Sequence, residues 1–137
     1  MKVKKFNRLE DYERIIDFLT EEYKINKNMV CWLPQRFDDL IYRIDVLHHD
    51  ERGLDRDSDY ILIFEDNEKI VGVVIPDGGS FNSCIKTGYE NIFSQMLDLS
   101  EKELQPLFKR DENGDINFLV VSHDSLEYQK EELEKRG

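Results

Sequence analysis

Residues 60–76, YILIFEDNEKIVGVVIP, carry the clearest structural signal in this chain: two apolar runs separated by a short polar segment. The runs are Ile61–Phe64 and Ile70–Ile75, and the polar Glu65–Lys69 between them supplies the Asp and Asn that turns favour. Two β-rich runs at this spacing predict an antiparallel hairpin. Because the runs are nearly continuous and do not alternate with polar residues, we expect both faces of the hairpin to be covered.

The segments around the hairpin predict a mixed domain. Four of them have helical periodicity or a charged helical pattern and are predicted helices: residues 9–25, 34–47, 88–104 and 126–136. The first helix has an apolar face made of Tyr12, Ile15, Ile16, Leu19 and Tyr23. Three further strands are predicted at Val3–Phe6, Phe81–Lys86 and Ile116–Val121. The order β-α-α-β-β-β-α-β-α indicates one α/β (α+β) domain over residues 1–137.

Charge restricts the partners of this domain. The 137 residues include 19 Lys and Arg against 30 Asp and Glu, a formal net charge of −11. A field of this sign repels phosphate backbones and anionic lipid, so we expect neither a nucleic acid nor a membrane partner. It favours cationic partners such as amines, although solubility alone also explains it. No apolar run approaches the ~20 residues that span a bilayer, and the start MKVKKF is not a signal peptide.

The cysteines and histidines give no metal pattern. Cys31 and Cys84 stand alone in the sequence, so we expect reduced, packed thiols and a cytoplasmic location. His48 and His49 are adjacent, and neighbouring positions do not share a helix face. Because no second ligand pair accompanies them, no metal site is predicted.

The end of the chain predicts an uncovered sheet edge. The last helix closes on Lys135-Arg136-Gly137, with glycine where a helix C-cap normally leads into further chain. We therefore expect either the first part of a longer protein or a strand, Ile116–Val121, that lies near an exposed edge. Exposed apolar edges pair with other strands, which predicts a homodimer or a C-terminal half that covers this edge.

Four segments together resemble the GNAT superfamily of acetyl-CoA-dependent N-acetyltransferases: VKKFNRLEDYERIIDFL, ILIFEDNEKIVGVVIP, MLDLSEKEL and LEKRG. The resemblance covers almost the whole chain and ends at the helix that precedes the family's last two strands. It implies helices flanking a mixed, mostly antiparallel central sheet. It also implies transfer of an acetyl group from acetyl-CoA to a primary amine of a small molecule or peptide, by direct attack of the amine on the thioester.

The resemblance also implies a cofactor loop at the start of the third helix, where backbone amides and the positive helix end attract the pyrophosphate. Its residues here are Ile85, Lys86, Gly88, Tyr89, Glu90 and Asn91. The family pattern Q/R-x-x-G-x-G/A falls on residues 88–93, with Asn91 in place of glycine and Phe93 in place of a small residue. Glu90 adds a negative charge. The alternative interpretation is an ordinary strand-to-helix turn with Phe93 in the core.

The catalytic positions are similarly divergent. The resemblance implies a proton-donating Tyr on the last helix, but Leu133 stands at that position. Tyr128 is the nearest phenol, and Glu65 and His123 are candidate bases. Each of these three side chains has an alternative role in packing or at the surface. Trp32 and Arg36 are candidate substrate-binding residues, because the segment between the first two helices lines the acceptor cleft of such proteins.

Two functional hypotheses follow from these residues. One is an active N-acetyltransferase. The other is a catalytically inactive GNAT-like module that serves ligand or partner binding, which the departures at Asn91, Phe93 and Leu133 favour.

Overall fold

The computed structural model describes residues 1–26, 34–47, 60–77, 80–107, 112–114, 119–121 and 126–136. These residues contain five strands: β1 Lys2–Lys5, β2 Leu62–Asp66, β3 Lys69–Asp77, β4 Ser80–Ile85 and β5 Leu119–Val121. They also contain four α-helices: α1 Arg8–Asn26, α2 Pro34–Leu47, α3 Phe93–Glu103 and α4 Glu127–Arg136. Short 3₁₀ turns precede and follow α3, at Glu90–Ile92 and Gln105–Leu107.

The strands form one sheet in the order β1-β2-β3-β4-β5. Successive strands from β1 to β4 pair antiparallel, and β4 and β5 pair parallel. A mixed α+β domain with a mostly antiparallel sheet is therefore confirmed. Among the described residues no helix is long and apolar enough to cross a bilayer.

The hairpin predicted from residues 60–76 is formed by β2 and β3. Its two-residue connection consists of Asn67 and Glu68, whose φ angles of 52° and 65° are left-handed. Such paired positive values match the right-handed twist of the flanking strands. The register passes from Phe64 opposite Gly72 to Glu65 opposite Ile70, so Val71 is an extra residue in β3. This bulge resets the alternation of side chains and turns both Val71 and Gly72 toward the same face of the sheet.

Each face of the hairpin is buried beneath helices, which confirms the prediction from its continuous apolarity. On one face α1 and α2 contribute Ile15, Leu19, Phe37 and Leu40, which pack on Ile61, Ile63, Val73 and Ile75. On the other face α3 contributes Phe93, Met96 and Leu97, which pack on Leu62, Phe64, Val74 and Phe81. Tyr128 and Leu133 of α4 pack against this second cluster. The sheet thus separates two apolar layers.

A buried ion cluster fixes α1 to the sheet. The Asp11 carboxylate has no solvent exposure and accepts hydrogen bonds from Lys4 Nζ at 3.0 Å and Arg14 Nη1 at 2.8 Å. The Asn7 amide also donates to it, at 2.8 Å, and Arg14 continues to the buried Glu65 of β2. Burial alone raises the pKa of the Asp11 carboxyl. The hydrogen bonds, with Lys4 the largest contributor, outweigh burial and hold that pKa below its usual value.

Two expectations need correction. Helix α3 begins at Phe93 and not near residue 88, because Gly88 adopts a left-handed φ of 98° that a helix does not allow.

Cys84 of β4 is disulfide-bonded, so the expected reduced thiol is wrong at this position, while Cys31 lies outside the described residues. Two isolated cysteines give no spacing signal, and disulfide formation depends on tertiary proximity. Cysteine usage therefore no longer supports the cytoplasmic prediction.

The bulge next to Gly72 generates the first prediction. A Cβ added at Gly72 would lie 2.6 Å from Met96 Cε, the end of a flexible side chain. We expect Gly72→Ala to lower the free energy of unfolding by about 1–2 kcal/mol through overpacking, and Met96→Ala to lower it by about 2–4 kcal/mol through a cavity. In the double variant the new methyl occupies part of that cavity, so the combined loss in urea unfolding should be smaller than the sum. Strict additivity would contradict the contact.

The second prediction concerns the Asp11 cluster. Asp11→Asn removes the charge on which Lys4 and Arg14 converge, and we expect about 3 kcal/mol of lost stability at pH 7, the low end for breaking a buried ion pair. Because the folded pKa lies below the unfolded one, this contribution is present above about pH 4 and is lost as the pH falls further. Urea unfolding between pH 7 and pH 3 should show a steeper acid loss for the wild type than for Asp11→Asn.

The matched control for this experiment is Glu10→Gln. Glu10 is exposed, and its Oε2 lies 3.5 Å from Nζ of the same lysine, Lys4. Removing its charge should cost less than about 1 kcal/mol, as expected for a surface pair. Equal effects of the two variants would show that burial does not matter to the cluster.

Candidate functional site

The predicted cofactor residues come together where β4 ends and α3 begins. The Lys86 amide extends the sheet by donating to the Val71 carbonyl at 2.8 Å. The chain then turns, with the Tyr89 amide donating to the Lys86 carbonyl at 2.9 Å. Because β4 and β5 are parallel, the starts of α3 and α4 lie at the same end of the sheet as this turn. We call residues 86–91 the β4–α3 turn.

Carboxylate oxygens of this chain accept hydrogen bonds from amides of the β4–α3 turn. The Thr87 amide and its hydroxyl both donate to Glu22 Oε2, each at 3.3 Å. The Gly88 amide donates to Glu90 Oε1 at 3.0 Å. Glu22 belongs to α1 and is 2% exposed, whereas the Gly88–Glu90 bond lies at the surface. With Tyr89 bonded to Lys86, three successive amides of the turn have acceptors within the chain.

An aromatic pair fills the space between the first turns of α3 and α4. The Phe93 side chain is 1% exposed, and its ring meets that of Tyr128 edge-on at a centroid distance of 5.9 Å. This geometry is the favoured one for an aromatic pair. Phe93 therefore points inward, as the alternative interpretation of the turn expected.

The opposite end of α4 is fastened to α3 by Arg136. Its guanidinium donates to the Ser94 carbonyl at 3.0 Å and pairs with Asp98 at 2.8 Å. It also pairs with Glu132 of its own helix at 3.1 Å. Together with the aromatic pair, these contacts hold α4 against α3 at two places along its length.

The Tyr128 hydroxyl lies in a negative environment. Burial raises the pKa of Tyr128, and the charges of Glu90 and Glu22 raise it further. The hydrogen bond from Gln129 Nε2, at 3.0 Å, acts in the opposite direction. Two carboxylates thus influence the phenol that the sequence proposed as an acid. A phenol with a raised pKa holds its proton more firmly at neutral pH.

The two predicted catalytic residues that the structure describes, Glu65 and Tyr128, lie on opposite faces of the sheet. Glu65 is buried on the face that α1 covers, where it pairs with Arg14, while Tyr128 packs on the opposite face. His123 lies outside the described residues, as does Trp32. Arg36 is exposed on α2, and Leu133 packs against the apolar cluster below α3.

The pairing of β4 with β5 covers only part of β4. Ser80, Phe81 and Asn82 pair with Leu119, Val120 and Val121. Strand β4 continues for three more residues to Ile85, whereas β5 ends at Val121. Within the described strands, the end of β4 that leads into the turn is thus paired with β3 alone.

An acidic cavity lies on the other face of the molecule. It has a volume of about 370 Å³ and opens between α1 and α2. Its carboxylates are Glu13, Asp17 and Asp38, and the Tyr12 hydroxyl donates to Asp38. Among the described residues no group of three or more His, Cys, Asp or Glu side chains could hold a metal ion. The adjacent His48 and His49 are outside this part of the chain.

Sequence reasoning missed Glu22 and Thr87. The signal for Glu22 is its spacing: it follows Ile15 and Leu19 by seven and three residues, which places it on the buried stripe of α1. Tyr23 was expected on that stripe and is instead 45% exposed. A carboxylate in a core position indicates a specific partner, because burial without one is costly.

Comparisons with known proteins identify no relative of this chain. No protein-family model, no curated protein and no solved structure matches this chain.

The aromatic pair generates the third prediction. Tyr128→Phe keeps the ring against Phe93 and loses only the hydroxyl that accepts from Gln129, so we expect about 1 kcal/mol of lost stability. Tyr128→Ala removes the ring and should cost about 3 kcal/mol. Chemical unfolding of the two variants measures the difference. If Tyr128→Phe were as damaging as Tyr128→Ala, the hydroxyl and not the ring would hold α4 in place.

Proposed function

We propose that this chain is a GNAT-like module that serves ligand or partner binding and does not turn over acetyl-CoA. One observation carries the proposal. The Gly88 amide, which the resemblance assigns to the cofactor pyrophosphate, already donates to Glu90, and the neighbouring Thr87 amide donates to Glu22. A diphosphate would have to displace both carboxylates.

The strand order supports the GNAT-like part of the proposal. A hairpin is followed by a fourth antiparallel strand, a helix and then a parallel fifth strand. The starts of α3 and α4 consequently lie side by side at the carboxyl ends of β4 and β5.

The balance of charge supports the non-catalytic part. A helix N-terminus stabilises an anion by roughly 0.3–2 kcal/mol. Two like charges about 4 Å apart repel by about 4 kcal/mol at an effective dielectric constant of 20. A negative charge on the buried Glu22 would repel an anion at the Thr87 amide by more than a helix N-terminus attracts one. The Phe93–Tyr128 pair adds a steric obstacle beside the same turn.

Strand β5 supports the partner-binding part. It is the last strand in the order of the described sheet, and Val121 is 52% exposed. An edge strand offers unpaired backbone groups to another chain. The partner would be a second copy of the chain or a C-terminal half that continues the sheet.

Active N-acetyl transfer is the second candidate. It is favoured, within the described strands, by the three residues of β4 that extend beyond the last pair with β5. Parted strands at this point would leave room for an acyl thioester, with catalysis arising from its positioning against an amine. The acidic cavity between α1 and α2 is suited to a cationic group. Its described lining residues belong to these two helices and not to the β4–α3 turn.

Titration with acetyl-CoA separates the two candidates. Isothermal calorimetry with the purified chain should give no binding heat up to about 1 mM acetyl-CoA, a limit near −4 kcal/mol of binding free energy. In parallel, release of free thiol from acetyl-CoA is followed with a panel of primary amines. We expect the rate to equal that of the protein-free control. Micromolar binding with amine-dependent thiol release would overturn the proposal and establish the transferase.

A further inference from the structure

We infer that a cavity beside α1 binds a free amino acid with an apolar side chain. The cavity has a volume of about 340 Å³ and lies between the middle of α1, the start of β3 and Lys86, which follows β4. The inference goes beyond the proposed function, because it names the class of a ligand and the groups that contact it. It is independent of whether the chain turns over acetyl-CoA. We call this site the α1–β3 cavity.

The floor of the α1–β3 cavity is apolar. Phe18 of α1 and Ile70 of β3 line the cavity and belong to the apolar cluster beneath α1 and α2. They are 9% and 8% exposed, more than any other buried residue described in that cluster. An apolar surface of this kind gains free energy when a ligand covers it and removes it from water. The floor therefore favours a ligand with an apolar group.

Four charged side chains that line the cavity have no partner in the described part of the chain. Neither a hydrogen bond nor an ion pair is formed by the side chains of Asp17, Glu68, Lys69 and Lys86. They are two carboxylates and two ammonium groups, so opposite charges share one cavity without pairing with each other. Lys86 is half-buried, and the other three are exposed. Both signs of charge therefore remain available to a ligand.

The remaining charged lining residues are already engaged. Arg14 belongs to the ion cluster described above, Glu21 pairs with Lys24 at 3.3 Å, and Glu22 accepts from Thr87. A ligand in the cavity would consequently meet the four unpaired groups and not these three.

The direction of Lys86 follows from the strand that precedes it. Cys84, two residues earlier, packs in the apolar cluster beneath α1 and α2. The Lys86 amide donates to the Val71 carbonyl as a continuation of the sheet, so side chains still alternate between the two faces at this point. Lys86 thus lies on the same face as Cys84 and Ile70, and it brings a positive charge next to the apolar floor.

A free amino acid matches this arrangement of groups. Its carboxylate binds the two lysines, its ammonium binds the two carboxylates, and its side chain covers the apolar floor. A volume of about 340 Å³ is near the lower end of the range for ligand pockets, roughly 300–1,000 Å³, which suits a ligand this small. A ligand with one charge would leave the groups of the other sign unpaired, so the zwitterion is preferred to a simple amine or a simple carboxylate.

Solvation of ordinary surface charges is the competing explanation. Exposed lysines and carboxylates commonly contribute little whether or not they pair. Under this explanation the zwitterion has no advantage: L-phenylalanine, its amide and its N-acetyl derivative would bind equally weakly or not at all. Glycine, which carries both charges without an apolar group, tests the role of the floor in the same way.

The test is a titration of the full chain with L-phenylalanine up to about 10 mM, followed by backbone amide NMR. We expect a saturable shift of the Ile70 and Lys86 signals with a dissociation constant of about 1 mM. Phenylalanine amide and N-acetylphenylalanine each lack one charge and should bind about fivefold more weakly. Glycine should bind at least about tenfold more weakly, because it leaves the floor uncovered. Equal affinities of the four compounds, or no saturable shift with L-phenylalanine, would overturn the inference.

Charge variants assign the contacts. Lys86→Gln and Glu68→Gln each remove one charged group from the cavity, and each should weaken phenylalanine binding by about threefold to fivefold. The matched controls are Lys102→Gln on α3 and Glu131→Gln on α4, which change the net charge equally at exposed positions that do not line the cavity. The controls should leave the affinity unchanged. Equal losses in the variants and the controls would show an effect of net charge alone and would refute the site.

The position of the shifts separates this site from the acidic cavity between α1 and α2. Asp17 lines both cavities, whereas Gln35 and Asp38 line the acidic cavity and Ile70 lines the α1–β3 cavity. Shifts confined to Gln35 and Asp38 would place the ligand in the acidic cavity and overturn the inference. Wild-type binding of acetyl-CoA would instead refute the proposed function and leave this inference unaffected, so the two failures are distinguishable.

Discussion

Burial of the β2–β3 hairpin on both faces is the constraint on which the rest of this structure depends. A strand pair without a polar face is unstable with either face exposed to solvent, so helices must cover both faces. The chain meets this demand with α1 and α2 on one side and α3 with α4 on the other. The bulge at Val71 adjusts the hairpin so that Gly72 lies under Met96 and lets α3 approach closely.

Helix α1 makes polar contacts both with the sheet and with the turn that precedes α3. Arg14 links Asp11 of α1 to Glu65 of β2, and Glu22 extends from the same helix to the turn that precedes α3. Helix α1 therefore supports the sheet at one end and shapes the candidate site at the other. A first helix with only an apolar stripe would cover the sheet equally well but would leave the Thr87 amide without the Glu22 acceptor.

Sequence reasoning predicted the fold well because the fold is encoded in local periodicity. The hairpin, the two helices before it and the strand after it lie where the patterns of residues 9–25, 34–47, 60–76 and 81–86 indicated. The start of α3 was misjudged because apolar spacing continues through a turn that Gly88 bends. The disulfide of Cys84 depends on tertiary proximity, which single-sequence patterns do not contain.

The candidate site was predicted only in part, for a related reason. Local sequence located the turn and showed that Glu90 and Phe93 suit a phosphate poorly. It gave no indication that Glu22 would reach the Thr87 amide of this turn, because a contact over 65 residues has no local signature. Glu65 was one of two candidate bases, and local sequence did not show that it would pair with Arg14, 51 residues away.

The long separation between Glu22 and Thr87 also bears on how the molecule assembles. Closing so large a loop costs chain entropy before the contact returns any energy, and contacts of high sequence separation form slowly. The hairpin and α3 can associate from nearby segments. The turn between β4 and α3 acquires its final shape only when the first helix docks, which makes this surface one of the last to mature during folding.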